Sequence, residues 1–411
     1  MGFNPGGGGG IAGATDVAFS GLQDNQVLTY DSPSSKWQNQ AGVSSGGEVN
    51  GTAYVTVAAS TEPTTVKNAA DYVCDNTADQ VQINAALASV GTESVSGNAK
   101  GNNGGMVVLI GRQFTISGPV LLPSQTELVG AYGKSGTWLS CAGSYAPGES
   151  GGMVELATLN TQYTVIRDLG LDGNSVNVCG VRHEMSTGQE YDGYHVAKNM
   201  YIWNVGRHGI YSLNQSGGRL RGNMYSQMRI LNPGGYGVYS ESPDSFYEMI
   251  DVGSAGTAIG GKNGHGFFCG HSNNRYVNCK AWFSDGDGFH ITGGRDNQLT
   301  ACESQDNERH GYYINSGRTT LSSCCADSNS HDGSGGAGIG DGFYVSGGGT
   351  NIHGSSTDKN ESGRGRQQRY GVNIVGSPPV IINVTTWGNA TAPSNGSGAT
   401  GSVVNVIDTA V

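Results

Sequence analysis

Gly209-Ile210-Tyr211, Gly237-Val238-Tyr239, Gly266-Phe267-Phe268, Gly288-Phe289-His290, Gly311-Tyr312-Tyr313, Gly342-Phe343-Tyr344 and Gly371-Val372-Asn373 are one short phrase written again and again. Successive glycines are 28, 29, 22, 23, 31 and 29 residues apart, and Gly180-Val181 extends the series one step back, by 29. A period of this size marks stacked units, each burying its apolar face only against its neighbours. The residue after each glycine is apolar, and so in most repeats is the residue two further on, with a position between them that points the other way. That alternation belongs to a strand and not to a helix. Each repeat then carries a second strand-like run, such as Phe246 to Ile250, Tyr276 to Ala281 or Leu321 to Ala326. Gly, Asn, Asp and Ser fill the joins, as turns require. Short strands at a fixed repeat, with no helical segment between them, predict a solenoid in which each turn of chain pairs in parallel with the next.

On these repeats the sequence resembles the right-handed parallel β-helix proteins, the superfamily of pectate-lyase-like enzymes and phage tailspikes. The repeats of 22 and 23 residues look like minimal coils of that fold, and the longer ones like coils with a loop let out. The resemblance implies an all-β fold, a right-handed parallel β-helix over residues 69–388 that opens with a capping helix. Ala69-Ala-Asp-Tyr-Val-Cys-Asp-Asn-Thr-Ala-Asp-Gln-Val-Gln-Ile-Asn-Ala-Ala-Leu-Ala88 fits that helix, with Thr77 or Asn76 as cap and Val81, Ile83, Ala85, Leu87 and Ala88 as its apolar stripe. A first coil has no neighbour on one side, so something must cover its apolar end.

Residues 1–45 are expected to form a separate module. Gly21-Leu-Gln-Asp-Asn-Gln-Val-Leu-Thr-Tyr30-Asp31, followed by Trp37, resembles a short attachment module found near the ends of phage tail and fibre proteins. Read physically, it is a two-strand hairpin whose Leu28, Tyr30 and Trp37 need a partner to bury against, since an isolated hairpin is marginal in water. Residues 46–68 read as a linker or one or two strands, and 389–411 as a tail with a terminal strand.

Composition narrows the function classes. The 411 residues carry a formal net charge of −11, with only 13% charged residues. Nucleic-acid binders are basic, so no nucleic-acid partner is expected. No apolar run approaches the ~18 residues of a membrane helix, and the N-terminus lacks a charged-then-apolar signal, so neither membrane insertion nor a signal peptide is expected. Seventy glycines against eleven prolines, without a three-residue period, fit many tight turns. Among eight cysteines, Cys279, Cys302 and Cys324 recur 13, 14 and 13 residues after their coil glycine. This predicts a column of free, buried thiols acting as small hydrophobes. No Cys/His group has zinc spacing, so the expected metal and cofactor set is none.

Three groups could carry chemistry. Tyr211, Tyr239, Phe268, His290, Tyr313 and Tyr344 point outward from successive coils, ~4.8 Å apart. This aromatic ladder is either a glycan platform or the seam of a homotrimer. His208, Tyr236, His265, Asp287, His310, Asp341 and Tyr370 precede the repeat glycines. There, either His–Asp pairs favour charged histidines, or short polar residues satisfy turn backbone. Asp285, Asp287, Glu303, Asp306 and Glu308 are candidate catalytic carboxylates, because glycosidases need two acids at a set separation. A lyase would want a basic residue, and Arg275 and Lys280 are near in sequence. The run Arg364 to Arg369 reads as a solvated loop. The resemblance implies a tail or tail-fibre-associated virion protein, assembled in the host cytoplasm, trimeric, joined to other tail proteins by its N-terminal module and facing host-surface polysaccharide. A polysaccharide depolymerase, hydrolase or lyase, and a purely structural decoration protein are the alternatives, since the fold hosts all three.

Overall fold

The computed structural model describes residues 17–18, 26–31, 36–41, 53–91, 104–146, 151–185, 193–215, 220–256, 264–330, 340–357, 368–376, 378–389, 391–398 and 401–408. The chain forms two compact units, Met1–Gly51 and Thr52–Val411. In the first, strands Gln26–Asp31 and Lys36–Ala41 pair antiparallel with Tyr30 opposite Trp37, and Val17–Ala18 adds in parallel to Lys36–Ala41. The expected hairpin is present; the side chains of Leu28, Tyr30 and Trp37 lie outside what is described.

The second unit is a parallel β-helix. Each coil contributes one strand to an 11-stranded sheet, and most coils contribute two to a 20-stranded sheet that folds around the other sides of the solenoid. Register carries from coil to coil through Phe267↔Phe289↔Tyr312↔Phe343 on the first sheet and Tyr276↔Leu299↔Leu321 and Ala281↔Ser304↔Ala326 on the second, with shifts between Thr292 and Arg295 and between Ser322 and Cys324. The bends between strands are made by single left-handed residues stacked in columns. Asn199, Gln227, Met249, Asn278, Ala301 and Ser323 hold φ between 51° and 57° at one corner. Asn204, Asn232, Phe283, Asp306 and Ser328 hold φ between 49° and 54° at the next. Asn and Asp tolerate this conformation, whereas Met249, Phe283 and Ala301 accept its cost of ~1–2 kcal/mol because stacking dictates the corner. Residues 53–58 form a strand in register with Gly105–Ile110, and Val403–Asp408 pairs with Val380–Trp387, so the solenoid extends beyond 69–388 at both ends.

The inward positions after each repeat glycine, Ile210, Val238, Phe267, Phe289, Tyr312, Phe343 and Val372, are fully buried. Their rings stack at 4.6 Å (Phe267–Phe289), 5.0 Å (Phe289–Tyr312) and 5.0 Å (Tyr312–Phe343). The glycine that opens each repeat faces the opposite wall. A Cβ on Gly237 would meet Val252 Cγ1 at 2.2 Å, and one on Gly288 would meet Ser304 Oγ at 2.0 Å. The phrase therefore begins with glycine because a second strand packs against that backbone. Cys279, Cys302 and Cys324 are free and 1% exposed, as the spacing predicted. The neighbouring sulfur, Cys279 for Cys302 and Cys302 for Cys324, and after it burial push both thiols up.

The capping helix spans Gln80–Val90 and buries Ile83, Ala86, Leu87 and Val90. The stripe is shifted from the one read in sequence: Val81, Ala85 and Ala88 face solvent. Asp79 stands at the N-cap, and its carboxylate accepts from Asn76 N and Thr115 N at 2.7 Å each. Asn84 then accepts from Leu121 N (2.8 Å) and donates to Pro119 O (2.9 Å). Side chains of the helix thus satisfy strand backbone that has no further coil to pair with.

Candidate functional site

The outward ladder forms as read. Its ring centroids are 5.2 Å apart for Tyr211–Tyr239, 4.9 Å for Tyr239–Phe268, 5.6 Å for Phe268–His290, 4.4 Å for His290–Tyr313 and 5.0 Å for Tyr313–Tyr344, with interplanar angles of 5–14°. Each ring is partly buried by its neighbours. Because ring lies on ring, the faces are consumed within the stack and the edges and hydroxyls point outward. Sugar C–H groups stack on ring faces, so the ladder presents little of what a glycan uses.

The column that precedes the glycines is interleaved with the ladder, which the sequence did not reveal. His208 stacks on Tyr239 at 5.3 Å, Tyr236 on His265 at 5.3 Å, and His265 on His290 at 4.2 Å. The result is an aromatic wall two rings wide. Its histidines do a backbone job: His208 Nδ1 accepts from Tyr236 N (3.1 Å), His265 Nδ1 from Asp287 N (2.9 Å) and His310 Nδ1 from Asp341 N (3.1 Å). Burial pushes His208 and His265 down to about 3, in the latter case against the pull of Asp287. The reading of a charged histidine beside an aspartate is therefore corrected for His265, where desolvation outweighs the adjacent carboxylate. The 3.5 Å approach of His265 to Asp287 is accordingly not an ion pair at neutral pH.

Asp287 is fully buried. Burial opposes its charge, but hydrogen bonds from His290 Nδ1 (2.7 Å) and His310 N (2.9 Å) and the surrounding rings hold its carboxyl well below the usual range. Among the described residues, His265, Asp287 and His290 form a group whose nitrogen and oxygen atoms lie within 4.8 Å of one another, close enough to share a cation. The hydrogen bonds just given already engage His265 Nδ1 and both Asp287 oxygens.

The candidate carboxylates are distributed. Glu303 lies on the outside of the 20-stranded sheet, 2.8 Å from Lys280. Asp306 is a buried corner residue that accepts from Gln305 Nε2 at 3.0 Å. Asp285 and Glu308 occupy equivalent turn positions one coil apart, because Trp282↔Gln305 before them and Phe289↔Tyr312 after them share one offset. Arg369, read as part of a solvated loop, instead forks onto Asp341 at 2.9 and 2.8 Å, joined there by Asn373 at 2.8 Å. Arg364 and Arg366 lie outside the described residues.

A second outward face was not singled out in the sequence. Arg229↔Asp251↔Lys280↔Glu303 stack in register as alternating charges, and beside them run Trp203↔Leu231↔Gly253↔Trp282↔Gln305. Trp282 lies over Gly253, and Trp138 lies over Gly170 with its edge toward Tyr201 at 5.4 Å. The available signal was a tryptophan at one coil with a glycine at the matching position of a neighbour, which shows only once register is known.

No protein-family model and no curated protein sequence matches this chain. Among solved structures it is similar to the A-module of the Azotobacter vinelandii mannuronan C-5 epimerase AlgE6, at 14% identity and a TM-score of 0.58 over 81% of this chain and 96% of that one. It is also similar to the enzymatically active domain of tailspike protein 2 of bacteriophage CBA120, at 13% identity and a TM-score of 0.57, covering 77% of this chain and 46% of that one. The AlgE4 A-module of the same bacterium aligns at 15% identity and a TM-score of 0.53, over 82% of this chain and 96% of that one. These likenesses establish the parallel β-helix fold.

Proposed function

We propose that the chain is a bacteriophage tail or tail-fibre-associated virion protein, homotrimeric, joined to other tail proteins through its N-terminal module and facing host-surface glycan. The observation that carries this reading is the hairpin in which Tyr30 is paired with Trp37 across the strands, in a unit of its own ahead of the solenoid in sequence. The residues that match the tail-module pattern form the paired element that such a module requires. The aromatic wall supports the oligomer, since it offers ring edges and hydroxyls along one straight side and contact with a second copy would bury them. Among the described residues no helix is long and apolar enough to cross a membrane. The test is a virion one. Deleting residues 1–45 should leave a folded solenoid that no longer enters particles, detected by mass spectrometry of purified virions. Particles that retain the truncated chain at the wild-type level contradict the reading.

A second reading, a polysaccharide depolymerase, is favoured by Asp285 and Glu308. One coil separates them, and a spacing of ~5 Å is that of a retaining pair. Asp285→Asn should then abolish any release of reducing ends from host polysaccharide.

A further inference from the structure

The face that bears Trp282 holds a groove of about 360 Å³. Its residues are held by one another before any ligand arrives. Trp282 Nε1 donates to Asp251 Oδ1 at 2.6 Å, and the other Asp251 oxygen faces Arg229 Nε at 3.4 Å. Lys280 Nζ donates to Glu303 Oε1 (2.8 Å) and Gln305 Oε1 (2.9 Å), while Gln305 Nε2 donates to Asp306. The indole is seated on bare backbone: a Cβ at Gly253 would come within 2.6 Å of Trp282 Cζ2. Phe283 meets the indole with rings 69° apart, centroids at 5.2 Å, and among the described residues no other ring contacts it. In the same outward column, three coils back, Trp203 is 40% exposed, ~14 Å away along the axis at the usual strand spacing.

We infer that this groove is a binding subsite for an uncharged polysaccharide, with one pyranose ring stacked on Trp282 and the chain running along the solenoid axis toward Trp203. Three features select that ligand. A rigid indole with no ring stacked on it matches the C–H face of a pyranose, and its orientation costs nothing further on binding. Arg229 and Lys280 retain N–H donors for hydroxyl oxygens after their contacts within the protein. The lining is balanced, with Arg229 and Lys280 against Asp251 and Asp306, in a chain of net charge −11, so nothing attracts a polyanion. A groove of this size lies at the lower end of ligand sites, roughly 300–1,000 Å³, and suits one or two sugar units.

This inference rests on the glycan-facing part of the function proposed above, but its test needs neither virions nor the ladder. Isothermal titration calorimetry of the full chain is run against maltohexaose, cellohexaose, laminarihexaose, mannohexaose and hexamannuronate. At least one neutral hexaose should bind with a Kd on the order of 1 mM or tighter. Trp282→Ala should weaken it at least ~10-fold, and Trp282→Tyr should keep most of the affinity. Gly253→Val, which keeps the indole but fills its seat, should also weaken binding. Matching circular dichroism across the variants excludes misfolding. Binding by none of the neutral hexaoses, binding by hexamannuronate alone, or neutral binding that survives Trp282→Ala each overturns the assignment. Failure here with an intact trimer and normal incorporation into virions removes the subsite and leaves the virion reading standing.

Discussion

The two outward aromatic faces use the same residue types in opposite ways. On the ladder face, ring lies on ring from Tyr211 to Tyr344, and a second stack of His208, Tyr236 and His265 fills in beside it. On the other face, single indoles lie flat on glycines, Trp138 on Gly170 and Trp282 on Gly253, and the residues around Trp282 are alternating charges. The first arrangement spends its ring faces internally and shows edges, which suits a seam between protein surfaces. The second keeps an indole with no ring stacked on it, met only edge-on by Phe283, in a polar groove, which suits a sugar. An aromatic position in a solenoid is therefore informative only together with what the neighbouring coils place above and below it.

The largest expected effect is on the layer beneath the ladder. Phe289 is fully buried between Phe267 and Tyr312. Phe289→Ala should cost ~3–5 kcal/mol of unfolding free energy, measured by urea denaturation. A loss under ~1 kcal/mol would mean that the wall does not depend on its underlying stack.

Overfilling the opposite face should cost less. At Gly170 a Cβ would lie 2.5 Å from Trp138 Cδ2, so Gly170→Ala should displace the indole and destabilise by ~1–3 kcal/mol, with a change in tryptophan emission. Unchanged emission would show that Trp138 does not lie on this glycine.

Acidification should separate the faces. His208 and His265 have folded pKa values of about 3, far below their unfolded 6.5, so the unfolded chain binds more protons between those values. Their contribution is complete above pH 6.5 and is lost as pH falls toward 3. Urea midpoints should therefore fall from pH 7.5 to pH 5, and His265→Gln, which cannot titrate, should show a smaller fall. Protection of the Tyr236 and Asp287 amides, taken relative to the intrinsic exchange rate at each pH, should be lower at pH 5 than at pH 7.5, since these rings accept from those N–H groups. Equal pH dependence in the His265→Gln protein would refute this.

The smallest effect is a null one. Cys279, Cys302 and Cys324 are 1% exposed and should react with a thiol reagent only after denaturant is added. Rapid labelling of the native protein would open the corner they fill.

The repeat glycines, the strand alternation, the thiol column and the outward ladder were all legible in the sequence, because register in a solenoid converts directly into spacing. Less was legible where partners come from a different side of the coil. The inward residue of a second strand dictates each repeat glycine, as Val252 does for Gly237. Corners fall on Met249, Phe283 and Ala301, which carry no turn signature, since the stack overrides local preference. Histidine charge could not be read from a neighbouring aspartate without burial. The Trp282 groove joins four coils and appears only when Arg229, Asp251, Lys280 and Gln305 are brought together by register.

The measurement that bears most directly on the central claim is the mass of the particle in solution when the ladder is cut. Phe268 and Tyr313 are partly buried ladder members on either side of His290. Burying such a strip is worth several kcal/mol at ~25 cal/mol per Å² before association costs. Size-exclusion chromatography with light scattering should show a trimer for the wild type and a monomer once both are replaced by Ser, with circular dichroism unchanged and binding of the neutral hexaose retained. A trimer that persists in the double variant, together with lost adsorption to host cells, would contradict the account and make the ladder the receptor-binding face.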